Sequence, residues 1–180
     1  MFDERDLINR LQDETTRRKA FEELVSRYSS KLYWQIRHLV VDHDDADDIL
    51  QNVFLKTWNS IGTFKGDSQL YTWLYRIAYN ESITFLSKKK TNLSIDDLDD
   101  GIANRLESDE YYDGNEAQVL LQQAIATLPE KQRAVFTMKY YEEMKYEDMA
   151  QITGTSVGAL KASFFHAVQK ITAYVKSKEL

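Results

Sequence analysis

The chain has 180 residues, a net charge of −6, 43% apolar residues and no cysteine. That length suits one domain or two small ones, the missing cysteine excludes disulfides, thiol catalysis and thiolate zinc sites, and no apolar run approaches the ~20 residues of a membrane span. The start, Met1 to Glu14, alternates charged and apolar residues, unlike a signal peptide or an anchor, and fits a cytoplasmic protein. One proline and six glycines suit a mostly helical chain.

In chain order, apolar spacing predicts a first helix from about Phe21 to Val40, with Leu24, Tyr28, Leu32, Ile36 and Leu39 on one face. A second runs from about Asp44 to Asn59, its acidic start suiting the positive end of the helix dipole. A third follows the Gly62 to Ser68 loop, from about Ser68 to Lys88, with Leu70, Trp73, Leu74, Ile77, Ala78 and Phe85 inward. Residues 91–117 have no helical stripe and read as a solvated, flexible acidic linker. A helix then runs through Val119 to Ala126, and Pro129 sits in the first turn of the next, where its missing N–H costs nothing. Near the end, Met149, Ala150 and Ile152 lie on a short helix stopped by Gly154. A longer helix starts after Ser156, with Val157, Leu160, Phe164, Val168 and Ile171 as its buried stripe. Two such helices and a short glycine turn form a helix-turn-helix, whose second helix lies in the DNA major groove in DNA-binding proteins and is an ordinary hairpin elsewhere.

The acidity is concentrated. Residues 1–90 hold 14 basic and 14 acidic side chains, residues 91–116 hold one and nine, and residues 117–180 hold eight and six. Neither flank has the basic footprint of a protein that grips DNA tightly alone.

Some faces do not look like core. On the second helix, Asp48, Gln51, Asn52 and Leu55 fall opposite the apolar side. This is either a solvated face with one stray leucine or a docking stripe with an apolar anchor. On the third helix, Tyr71, Tyr75 and Tyr79 recur every four residues beside Arg76, and Lys88, Lys89 and Lys90 close it. Such groups stack bases and hold phosphates in some proteins; elsewhere the tyrosines are boundary residues and the lysines answer the helix dipole. Phe64, expected to be exposed, and Lys65 sit in a loop with two glycines, which suits capture of a flipped base or simply a turn. An enzyme is disfavoured. The three histidines, His38, His43 and His166, have no metal-ligand spacing on one helix, and there is no phosphate-binding glycine loop or nucleophile elbow. No cofactor or metal is expected.

Two long motifs carry a family resemblance. DADDILQNVFLKTW (45–58) with IGTFKGDSQLYTWLYRIAYNESITFLSKKK (61–90) resembles domain 2 of extracytoplasmic-function (ECF) sigma factors, the small promoter-specificity subunits of bacterial RNA polymerase. LPEKQRAVFTMKYYEEMKYEDMAQITGTSVGALKASFFHAV (128–168) resembles their domain 4. The resemblance implies an all-α protein of two small helical domains, at 1–92 and 117–180, joined by the acidic linker at 93–116. It implies a factor that directs promoter-specific initiation in response to stress or another signal, held by an anti-sigma factor and not inserted in the membrane. A free-standing helix-turn-helix regulator and a helical adaptor are the other readings.

The resemblance also gives residues roles. Asp48, Gln51, Asn52 and Leu55 match the surface for the clamp helices of the polymerase β′ subunit, although the family usually has glutamate where Asn52 stands. Phe64 and Lys65 match the loop that captures an unstacked base of the minus-ten element. Lys56, Arg76 and Asn80 match positions along the single-stranded path, and Lys88 and Lys89 extend it. Trp73 falls in the core phase. The second unit resembles the reader of the minus-thirty-five element, which docks on the polymerase β flap, and the linker resembles the segment passing near the active site and RNA exit path. The recognition helix departs from the family's VGTVKSRLHRAR. It reads VGALKASFFHAV and keeps Lys161 as its strong phosphate partner, without arginine for guanine. Ser156, Ala159, Ala162, Ser163, Phe165 and His166 complete the expected minus-thirty-five surface, reading by polar contacts, thymine methyls and DNA shape.

The charge distribution yields a first prediction. The isolated protein binds duplex promoter DNA weakly, with site-specific binding emerging only together with polymerase. Anisotropy titration against duplex DNA at several salt concentrations checks this, and a salt-resistant nanomolar complex would favour the free-standing regulator.

Overall fold

The computed structural model describes residues 3–91 and 115–178, with Lys90 and Thr91 as backbone alone. Regular structure among these residues is helical throughout: α1 (Glu4–Gln12), α2 (Arg17–Val40), α3 (His43–Ser60), a 3₁₀ turn (Ile61–Thr63), α4 (Leu70–Thr91), α5 (Glu116–Ala126), α6 (Glu130–Tyr140), α7 (Tyr146–Thr153) and α8 (Val157–Lys178).

Helix α1 is absent from the sequence-based expectation, because its charged residues hide an apolar pair one turn apart. Leu7 and Leu11 are fully buried. The Asp3 carboxylate caps it, accepting from the Arg5 N–H at 2.9 Å. This helix fixes the loop that follows α3. Glu4 Oε1 accepts the N–H of Leu70 at 3.0 Å, at the start of α4. Gln12 Nε2 donates to the Phe64 carbonyl at 2.7 Å. Arg10 pairs with Glu23 of α2 at 2.9 Å.

Helices α1 to α4 enclose one core, built on Leu24, Leu32, Ile36, Ile49, Val53, Leu70 and Leu74. Asp42 caps α3, accepting from the Asp45 N–H at 3.1 Å, while Asp44 and Asp45 occupy its first turn. A second core gathers Ala124, Ile125, Leu128, Phe136, Ala167 and Ile171 from α5, α6, α8 and the turn between α5 and α6. Val168, expected in the buried stripe of α8, is 38% exposed, and Ala167 is buried in its place. The step from Phe164 to the buried position is three residues here, and a small alanine allows close approach. Asn115 caps α5, accepting from the Gln118 N–H at 3.0 Å, so the helix begins inside the stretch assigned to the linker. The expected linker otherwise falls on residues 92–114, outside the described residues. Pro129 is the residue preceding α6 rather than a member of its first turn.

A third core joins the two units, which the linker reading did not anticipate. Leu39 of α2 and Tyr75 and Tyr79 of α4 pack with Ala134, Val135, Met138, Met149, Ile152 and Leu160. The tyrosine ridge is therefore boundary material between two helical units. Tyr75 is 1% exposed and Tyr79 8%. Burial raises the Tyr75 phenol well above its ordinary value.

Polar contacts fasten this seam. Arg133 of α6 is buried, and its Nη1 donates to the Leu39 carbonyl at 2.7 Å, across the seam. Its Nη2 donates to Ala126 at 2.7 Å and to Leu128 at 3.1 Å, closing the turn between α5 and α6. Burial pulls this guanidinium down to about 10, with Glu130 opposing. Tyr71 Oη donates to Glu142 Oε2 at 3.2 Å. The His38 ring stacks on Tyr141 with centroids 4.1 Å apart and planes within 11°. Burial, assisted by Arg37, lowers His38 from 6.5 to about 4.

Two outcomes follow from the seam. Arg133→Ala leaves buried carbonyls without donors and lowers stability by about 3 kcal/mol in urea denaturation. His38 is neutral in the packed state and takes up a proton near pH 6.5 once unpacked. The neutral-state advantage is complete above pH 6.5 and is lost as pH falls from 6.5 toward 4. Stability between pH 7 and 5 therefore drops in the native protein, and His38→Phe flattens that slope.

Candidate nucleic-acid and polymerase interfaces

Helix α3 turns Ile49, Val53 and Thr57 into the core. The opposite side presents Asp48, Gln51, Asn52 and Leu55, all exposed. Leu55 is 63% exposed, and Trp58, one turn on, is 41% exposed. A large apolar side chain held in water by a rigid helix is what a docking anchor requires. Trp58 was not singled out by sequence reasoning, because its phase overlaps the boundary of the apolar stripe. Its inner edge meets Phe21 at 5.0 Å.

The loop after α3 brings Phe64, Lys65 and Arg76 around one cavity of about 420 Å³. Thr63, Asp67, Ser68 and Trp73 complete its N-terminal wall, and Gln151 of α7 supplies the rest. Gly66 adopts a left-handed φ of 75°, which lets the loop reverse without strain. Phe64 is not the exposed ring that the loop suggested. It is 6% exposed and packs on Trp73 with centroids 5.1 Å apart. The glycines make the backbone turn, while the aromatic falls inward onto the Trp73 face of α4. Arg76 lines the cavity, and its buried Nε has no hydrogen-bond partner.

The other cations of this expected surface, on α3, the loop and α4, are arranged differently. Lys65 and Lys88 are exposed, as is Asn80. Lys56 pairs with Glu81, and Lys89 Nζ lies 2.5 Å from Asp45 Oδ2. An incoming phosphate must compete with those carboxylates. Trp73 is half-buried against the N-terminal core, as its helical phase indicated.

In the helix-turn-helix, Gly154 takes a left-handed φ of 69° and ends α7. Ser156 Oγ accepts from the Ala159 N–H at 3.3 Å and starts α8. Ala159, Lys161, Ala162, Phe165 and His166 are exposed, and Ser163 is half-buried. Phe165 is 58% exposed and meets His166 edge-on at 5.8 Å. Lys161 Nζ rests 5.7 Å from the Tyr146 ring of α7. Among the described residues, no helix is long and apolar enough to cross a membrane.

The burial of Phe64 sets an expected outcome. Phe64→Ala costs about 3 kcal/mol in chemical denaturation, because a filled core position is emptied. Exposed Lys65→Ala changes stability by less than about 0.5 kcal/mol in the same assay.

Comparison with known proteins agrees with this geometry. Residues 24–91 match the family described as Sigma-70 region 2, and residues 118–171 match Sigma-70, region 4. The RNA polymerase sigma-H factor of Pseudomonas aeruginosa is 31% identical over 170 residues, spanning 86% of this chain and 85% of that protein. The ECF RNA polymerase sigma-E factor of Haemophilus influenzae is 30% identical over 181 residues, spanning 92% and 91%. Among solved structures, CnrH in complex with the cytosolic domain of CnrY has the same fold, with a TM-score of 0.71, 23% identity and 97% of each chain covered. The sigma factor RpoE with the anti-sigma factor NepR from Bartonella quintana gives 0.68 at 21% identity, covering 88% of this chain and 98% of that one. The order of the two regions, the all-helical fold and the extent of identity show that this chain belongs to the ECF sigma factors, RNA polymerase subunits of transcription initiation.

Proposed function

We propose that the protein works in the cytoplasm as an alternative sigma factor, itself without catalytic activity, that recruits core RNA polymerase to a set of signal-responsive promoters. The single observation that carries this reading is the presence of regions 2 and 4 in the family's order across most of the chain. The exposed α3 stripe of Asp48, Gln51, Asn52 and Leu55 meets the β′ clamp helices, with Leu55 as the apolar anchor. The cavity beneath the α3–α4 loop takes an unstacked base of the minus-ten element. Arg76, in the cavity wall, turns its guanidinium to that nucleotide. Lys56, Lys65, Asn80, Lys88 and Lys89 line the strand's path, and Lys56 and Lys89 exchange their carboxylate partners for phosphate.

The buried position of Phe64 refines the base-capture role. Its ring is 6% exposed and packs on Trp73, so it shapes the cavity wall from within the core, and the base is held by the residues around it. The exposed edge of α8 reads the minus-thirty-five element through Ser156, Ala159, Lys161, Ala162, Ser163, Phe165 and His166, while the rest of that unit docks on the β flap. With Lys161 as its strong cation, this helix relies on polymerase for affinity and contributes choice of site. An anti-sigma factor holds the protein until a signal arrives, a reading supported by the similar sigma factor RpoE, which forms a complex with the anti-sigma factor NepR.

Co-purification with core polymerase followed by run-off transcription tests the reading. Leu55→Ala with Asn52→Ala lowers polymerase affinity by at least tenfold, because a buried interface anchor is worth about 2 kcal/mol. The melting temperature stays unchanged, since both side chains face water. A large fall in melting temperature with unaltered polymerase affinity would assign the stripe to the core instead.

A further inference from the structure

Residues 115–180 contain one arginine, Arg133, and its buried guanidinium is committed to the carbonyls of Leu39, Ala126 and Leu128. No arginine in this unit is left to present the forked donors that match the N7 and O6 acceptors of guanine. Lys161, the one lysine between Val157 and Val168, is turned aside. Its Nζ rests 5.7 Å from the Tyr146 ring, and Lys139 Nζ lies 5.0 Å from the same ring. Both ammonium groups gather at the start of α7. The first helix of a helix-turn-helix crosses the DNA backbone, so these cations suit phosphate and set the register of the helix that follows.

What remains for the bases is the outer face of α8. By helical phase, Gly158, Ala162, Phe165, His166 and Gln169 lie opposite the buried Leu160, Ala167 and Ile171, and all five are exposed. Gly158 and Ala162 add almost no bulk, and nothing lies within 4 Å of where a Gly158 side chain would begin. A helix with its side chains is about 10–12 Å across, and the major groove is about 12 Å wide. A face trimmed in this way seats deeply, and the next group along it is Phe165, 58% exposed. A phenyl ring has no donor or acceptor for a base edge; the apolar group in the major groove is the 5-methyl of thymine. His166 meets the ring edge-on at 5.8 Å and offers one ring nitrogen to the neighbouring base, against the two donors that guanine recognition uses.

On the sigma reading above, which this inference requires, we propose that Phe165 selects a thymine by its 5-methyl group. The minus-thirty-five element of this protein then carries T·A, not G·C, beneath the Phe165–His166 pair. An arginine at position 166, as in the family's VGTVKSRLHRAR, favours guanine; the pair present here favours a methyl group. Upstream elements built on guanine at these positions are poor sites for this chain.

Holoenzyme reconstituted from this chain and core polymerase selects duplexes from a pool randomised upstream of the start site, and the enriched upstream element is sequenced. Each thymine in it is then replaced singly by deoxyuridine, which removes the methyl and leaves every hydrogen-bonding group in place. One such replacement lowers holoenzyme affinity about fourfold, the worth of one buried methyl. Phe165→Ala holoenzyme binds the thymine and uracil duplexes equally, whereas Phe165→Leu, which keeps an apolar group there, still prefers thymine. His166→Arg moves the selected element toward guanine. An enriched element with guanine at the discriminating positions, or indifference of the native holoenzyme to uracil at every thymine, would overturn the proposal. So would a Phe165→Ala holoenzyme that keeps the thymine preference, or one weakened in polymerase binding alone, which would make the ring a protein-docking anchor. A native chain that forms no holoenzyme would instead remove the sigma reading, and this inference with it.

Discussion

Helix α4 is apolar on two adjacent faces, and both are covered. One face, carrying Leu70, Leu74 and Ala78, closes the N-terminal core. The next, carrying Tyr75 and Tyr79 with Tyr71 and Ile83 alongside, closes on α6 and α7. A helix with an apolar girth this wide is unstable as a surface element and needs partners on both sides. Most of the arrangement follows from that requirement. It brings the C-terminal unit against the N-terminal unit, and it leaves the Arg76 and Asn80 side as the part of α4 outside both cores.

Tyrosine suits this double duty. Its ring supplies apolar area, and its hydroxyl tolerates a wet or a paired environment. Tyr71 stacks on Tyr28 at 6.0 Å, meets Tyr75 edge-on at 5.6 Å and still reaches Glu142 with its hydroxyl. A seam made of such groups can part without presenting a purely greasy surface to water. Arg133 behaves similarly: buried, it satisfies backbone carbonyls on both sides; released, it is readily hydrated. The seam thus has the character of an interface between domains, more polar than the two cores it separates.

Much of this was legible in the residues. The 3.6-residue spacing marks α2, α3, α4 and α8, and Gly154 and Ser156 mark the turn of the helix-turn-helix. The Leu55 stripe stood out because a leucine interrupts a polar face. Other features were hidden for definite reasons. Helix α1 buries only Leu7 and Leu11 amid charges, so no long stripe announces it. Phe64 looked exposed because glycines flank its loop, yet the backbone folds it onto Trp73. The seam joins residues far apart in the chain, such as Leu39 and Arg133, and neither position carries a local signal of the other. Tyr75 and Tyr79 were read as boundary residues, correctly in kind, but what bounds them was not deducible from α4 alone. Gln151 sits on an exposed helix edge, and only the packing of α7 on α4 makes it part of the cavity.

The central claim is that the outward face of α3, with Leu55 exposed on it, is a surface on which core polymerase docks. Site-specific photo-cross-linking from Asn59, one turn beyond Leu55 on the same exposed face, addresses this directly. The account predicts adducts to the β′ subunit when core polymerase is added. Absence of adducts to any polymerase subunit, with polymerase demonstrably bound, would contradict it.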